Sequence, residues 1–170
     1  MNIRLLGFGS AFHASTLHPA VVHFPLVLVP ISFVLFAGGH LGDSAGVRLA
    51  GRVCLGLAVV SAMIAMFTGA VAAGDLAHDA ALWELYRAHR ALAFVAVFLT
   101  AALSGWSAAH VKHRPRAIWA FLAVLGLDCA LILQTGDLGA RMVYGHGAAV
   151  KAAPPAAAAP RLPQSSTVFQ

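Results

Sequence analysis

Long uninterrupted apolar runs, rather than alternation or a single helical stripe, organise this chain. From residue 5 to residue 42 no Asp, Glu, Lys or Arg occurs, and its densest part, 20–39, is long enough to cross a hydrocarbon core of about 30 Å. Residues 53–74 make a second charge-free run of 22, residues 91–111 a third of 21, and residues 117–136 a fourth that only Asp128 interrupts. Barrel strands are about half as long and alternate in polarity, so the runs predict helices. The fold class is therefore all-α and integral to a membrane, a four-transmembrane-helix bundle. Pro25 and Pro30 predict a bend in the first span. Asp79 is a candidate N-cap, which starts the third helix near Asp79 or Ala80, ahead of its charge-free part. Trp83 and Tyr86 then fall at headgroup level. Around the membrane domain, 17–150, the pattern leaves an interfacial N-terminal segment, 1–16, expected to be retained. The Ala/Pro-rich tail, 151–170, reads as extended or disordered.

Composition sharpens this picture. Of 170 residues 60% are apolar and only 10% charged, against about 25% charged in soluble domains. Much of the surface cannot face water, which excludes a soluble globular enzyme. Two cysteines, Cys54 and Cys129, both in apolar runs, do not make a disulfide scaffold. The net charge of +5 is too scattered to track a phosphate backbone, so nucleic acid is not an expected partner. Lys and Arg speak instead to topology. Four spans put both termini and the 75–90 connection on one side, here the terminal side, and the connections 40–52 and 110–116 on the other. This second, basic side holds Arg48, Arg52, Lys112, Arg114 and Arg116 against one acid, Asp43. Positive-inside bias makes the basic side cytoplasmic and both termini periplasmic.

Nine histidines stand against six acidic residues. Laying the second half of the chain over the first pairs His23 with His89 at an offset of 66, Thr68-Gly69 with Thr135-Gly136 at 67, and His78 with His146 at 68. Halves with two spans each are related by a pseudo-two-fold axis along the membrane normal. Such an axis sets His23 opposite His89 and His78 opposite His146 on the terminal side, with His18 beside them. Imidazoles from different helices of a bundle are a means of holding a haem by two axial ligands. No Cys-x-x-Cys-His is present, which leaves non-covalent haem b as the expected cofactor. The iron ligands are then His23 and His89, with His18, His78 and His146 as alternatives or supporting groups. Arg87, Arg90 and Arg141 are available to the propionates, as Asp75, Asp79 and Glu84 are to the arginines. The competing reading makes these histidines solvated headgroup-level side chains, the expected state of His40, His110 and His113. Asp128, in the middle of a span, must face the bundle. An interhelical hydrogen bond to Ser61, Thr100 or Ser104 and a proton-relay role are both open, and the hydrogen bond is favoured because no second intramembrane carboxylate or base is visible to continue a relay. Met63 and Met66 suit packing better than copper.

Two segments resemble a known family. Leu17-His-Pro-Ala-Val-Val-His-Phe-Pro25 and Gly139-Ala-Arg-Met-Val-Tyr-Gly-His-Gly-Ala-Ala-Val150, with the Thr-Gly steps between, are similar to the opening and closing motifs of the DUF2231 family of small bacterial membrane proteins. The closing motif departs from the family pattern at Ala140, Met142 and Ala149. The resemblance implies a four-helix protein of the bacterial inner membrane, with His18, His23, Tyr144 and Gly147 as signature residues and His89 a weaker match. It supplies no activity.

The function these readings favour is haem b-dependent electron transfer or a redox-accessory role. Besides the lipid bilayer, the expected partners are quinol and a periplasmic cytochrome or larger redox complex. The alternatives are a cofactor-free structural or assembly subunit and, third, a small metal or ion transporter. No nucleophile with a base and no phosphate loop is visible, so no autonomous catalytic activity is expected.

Overall fold

The structure, a computed structural model, describes residues 14–77, 79–109, 115–148 and 150. His78, His110, His113 and the segments at 1–13 and 151–170 lie outside the described residues. The elements are α1 (Ala14–Val21), α2 (His23–Leu41), α3 (Ala45–Ala72), a single 3-10 turn (Ala73–Asp75), α4 (Ala80–Ala109) and α5 (Pro115–His146). Among the described residues there are no strands. Four helical segments are long and apolar enough to span a membrane: Thr16–Leu41, Ala45–Asp75, Ala80–Ala109 and Ala117–His146.

The first span is divided, but at Val22 rather than at either proline. Pro25 has no N–H to give to the carbonyl of Val21, four residues upstream, and its ring crowds that turn, so the disruption appears at Val22. Val22 N–H still reaches His18 O at 3.1 Å and Leu26 N–H reaches Val22 O at 3.3 Å, so helical hydrogen bonding carries across the division. Pro30 sits inside α2 without ending it. The expected interruption at Pro25 and Pro30 thus falls at Val22, just before α2.

α4 begins where Asp79 permits. Asp79 Oδ1 accepts from Ala81 N–H at 3.0 Å, and Trp83 meets Tyr86 edge to face with ring centres 5.3 Å apart. α5 runs ten residues beyond the charge-free stretch because Asp137 and Arg141 pair across one turn at 2.7 Å, an arrangement the helix itself favours. It ends at Gly147, whose φ of 66° is readily open only to glycine. There Gly147 N–H donates back to Val143 O at 2.9 Å, a left-handed C-cap.

α2 packs against both α3 and α5, and α4 against both α5 and α3, which closes the four into a ring with α1 laid on α3. Val29 and Phe36 of α2, Leu55 and Ala58 of α3, Ala96 and Leu103 of α4, and Phe121 and Leu125 of α5 meet inside. Phe121 is clasped edge to face by Phe36 at 4.9 Å and by Trp106 at 5.7 Å. Outside, large apolar side chains such as Phe24, Val34, Phe67, Phe98 and Trp119 are exposed. Around a water-soluble bundle that surface would be a severe liability; around a membrane bundle it faces acyl chains.

The internal repeat is real in arrangement but differs in register from the one expected. α3 starts at Ala45 and α5 at Pro115, 70 residues on, and under that offset the divided α1–α2 corresponds to α4. His18 then matches His89, at 71, and His23 matches Phe94. The 66–68 offsets are a slip of about one helical turn, which keeps every side chain near its face and every apolar run over an apolar run.

Candidate functional site

The terminal-side half of the bundle brings two histidines to one place. His18 leaves α1 toward α3, and its Nδ1–H donates to Ala65 O at 2.9 Å, with Thr68 Oγ1 at 3.3 Å. His89 leaves α4 toward α5, and its Nδ1–H donates to Thr135 O at 2.9 Å. Carbonyl oxygens only accept, so Nδ1 carries the proton in both rings. In the neutral imidazole Nε2 is then left with a free lone pair. The two rings lie 6.4 Å apart, centre to centre, with their planes at 89°.

Each ring rests on a glycine one turn beyond its carbonyl partner. A Cβ at Gly69 would stand 2.8 Å from His18 Cε1, and one at Gly139 would stand 3.6 Å from His89 Cε1. Ala65 with Gly69 and Thr135 with Gly139 are both separated by four residues and stand 70 apart. The second seat is the repeat of the first.

Metal-binding imidazoles commonly donate their other ring N–H to a carbonyl or carboxylate, which sets tautomer and orientation. Both rings meet that condition. Two imidazole nitrogens each about 2 Å from a shared metal hold their ring centres about 6 Å apart, the spacing found here. Among the described residues no three His, Cys, Asp or Glu side chains converge to hold an ion. Two side chains are short of a closed four-ligand metal site.

The other expected site residues lie elsewhere. His23, placed opposite His89 by the sequence offsets, is exposed on α2, and His18 holds that position instead. His146 Nδ1 meets Asp79 Oδ2 at 3.1 Å, tying the end of α5 to the start of α4. The Ala81 amide, and after it the His146 ring, hold the Asp79 carboxyl below its ordinary value. Arg87 pairs with Glu84, Arg141 with Asp137, and the Arg90 guanidinium stands 5.9 Å over the Phe94 ring. Tyr144 is 90% exposed. Asp128 is fully buried: Thr100 Oγ1 donates to its Oδ2 at 2.7 Å, while Oδ1 has no partner among the described residues. Of the three donors expected for it, Thr100 is the one used.

Sequence reasoning missed the two ring seats and the His18–His89 pairing. An offset of 70–71 matches His18 to His89, Gly69 to Gly139 and the two helix starts at once, and that coincidence was the available signal.

Fold and site together define a four-helix membrane-spanning protein with a facing histidine pair on its terminal-side half. Residues 14–152 match the family described as "Predicted membrane protein (DUF2231)". The chain belongs to that family. No curated protein and no solved structure matches it.

Proposed function

We propose that the protein is a membrane-embedded haem b carrier serving electron transfer or a redox-accessory role, in which His18 and His89 would hold the iron. The observation that carries this reading is the pairing of the two rings. Each Nδ1–H is donated to a helix carbonyl, which leaves Nε2 as the acceptor nitrogen of the neutral ring, and the centres are 6.4 Å apart. Haem supplies reversible one-electron chemistry when bound. The chain's own part is to fix both tautomers and hold the rings between packed helices, His18 against α3 and His89 against α5. His23 and His146, and His78 outside the described residues, become supporting groups. Electron partners on this reading are quinol from the bilayer and a periplasmic cytochrome or larger redox complex. The termini and the histidine site then face the periplasm of a bacterial inner membrane.

The same two hydrogen bonds also staple α1 to α3 and α4 to α5, which favours a second reading, a cofactor-free assembly subunit. Absorbance of the detergent-purified protein, oxidised and then reduced with dithionite, separates the two. A sharp reduced α-band that is lost in His18→Ala and His89→Ala but kept in His23→Ala is expected. A colourless, folded, metal-free preparation would refute the haem reading and leave the staple.

A further inference from the structure

At the other end of the bundle, where α2 turns into α3, three basic side chains gather with hydrogen-bonding capacity left over. Arg48 lies across the end of α2. Its Nη1 donates to Gly39 O at 2.8 Å and to Asp43 Oδ1 at 3.1 Å. A Cβ on Gly39 would stand 2.8 Å from Arg48 Cγ, so the close seat of this arginine depends on that glycine. Arg52 follows one turn later on the same face of α3. Its Nε is buried and has no partner among the described residues, and the same is true of His40 Nε2. His40 directly follows Gly39, whose carbonyl Arg48 holds.

A guanidinium is always protonated, so Arg52 Nε is an obligate donor, and a buried donor left unpaired calls for an explanation. Asp43 does not provide it, because its carboxylate is engaged with Arg48 and its side chain is 96% exposed. The 110–116 connection, which joins α4 to α5 at this same end, contains Lys112, Arg114 and Arg116 and no acid. The end of the bundle therefore supplies donors and positive charge without a matching anion. A phosphate group offers several acceptor oxygens and the fork geometry that arginine favours. Residues at the ends of spans sit at the depth of lipid phosphates.

We propose that His40, Arg48 and Arg52 form a binding site for a phosphate-bearing anion, supplied either by an anionic phospholipid headgroup or by free phosphate. The site is independent of the histidine pair and of whatever that pair holds. The test is thermal unfolding of the full chain in a non-ionic detergent, with added phosphatidylglycerol, phosphatidylcholine or inorganic phosphate. Wild type, Arg52→Gln, His40→Gln and, as a control from the opposite end, Arg141→Gln are compared. Phosphatidylglycerol should raise the wild-type Tm by several degrees and phosphatidylcholine should not. That shift should fall by at least half in Arg52→Gln, fall partly in His40→Gln and persist in Arg141→Gln. Inorganic phosphate reproducing the shift with the same variant pattern supports the site and names the free anion as its source. His40→Gln, which keeps both arginines, carries the test should Arg52→Gln fail to fold. Equal phosphatidylglycerol shifts in wild type and both basic-side variants, or no shift with either phosphate source, would overturn the proposal.

Discussion

At the scale of single residues, His18 depends on what is missing beneath it. His18 lies flat against α3 because Gly69 has no Cβ, and the 2.8 Å approach that a Cβ would make to Cε1 is too close to be absorbed in place. Alanine in a helix interior is worth about 1 kcal/mol over glycine, so Gly69→Ala should stabilise α3 locally yet lower the melting temperature by expelling the ring. Gly139→Ala, whose Cβ would make an ordinary 3.6 Å contact with His89, should melt at or above wild type. Equal melting of the two variants would show that the rings are not seated by these glycines. Thr100 is a comparable case. It is the single described donor to the buried Asp128, so Thr100→Val should cost about 1–2 kcal/mol in reversible unfolding from mixed micelles. Thr100→Ser should cost much less, since it keeps the hydroxyl.

At the scale of elements, helix ends are set by short-range chemistry that charge counting does not follow. α4 and α5 are 30 and 32 residues long, about 45 Å and more at 1.5 Å per residue, and so overrun a core of about 30 Å. Their charged ends are held by Asp79, by the Asp137–Arg141 pair and by the Gly147 cap. The lowered pKa of Asp79 gives its cap a pH dependence. A carboxyl held low in the folded state contributes fully above its unfolded value of about 3.9 and loses that contribution as pH falls through the folded value. The Ala81 amide should therefore keep its hydrogen-exchange protection from neutral pH down to about 4 and lose it below. Asp79→Asn, which keeps an N-cap acceptor, should hold protection across the range. At the end of α5, Gly147→Ala must force φ to leave 66° or accept strain of about 1 kcal/mol. Its expected effect is faster exchange over the last turn of α5, with the core of the bundle unchanged.

At the scale of the whole molecule, the pseudo-two-fold arrangement sets which ends share a side. Both described ends of the chain and the α3–α4 connection lie at one end of the bundle, and the α2–α3 turn lies at the other. A reporter active only in the periplasm, fused after residue 170, should be active if the basic side is cytoplasmic. Activity of a cytoplasmic reporter at that position would reverse the orientation. The apolar runs by themselves determined the number of spans and their helical character, because a bilayer leaves a chain no other way to satisfy its backbone, and the Asp79 cap marked the start of α4. Sequence also marked Asp128 as buried and hydrogen-bonded, since a carboxylate in mid-span has few other fates. It did not determine register. A helix repeats every 3.6 residues, so shifting one half against the other by a turn preserves the apolar pattern, and His23 serves as well as His18 in such a comparison. Only packing of α1 on α3 and of α4 on α5 decided between them, because only there do Gly69 and Gly139 offer flat seats beside a carbonyl that can take a ring N–H. The unpaired nitrogens of Arg52 and His40 were likewise decided by tertiary structure: composition counts charges, while burial and the placement of partners leave a donor unmet.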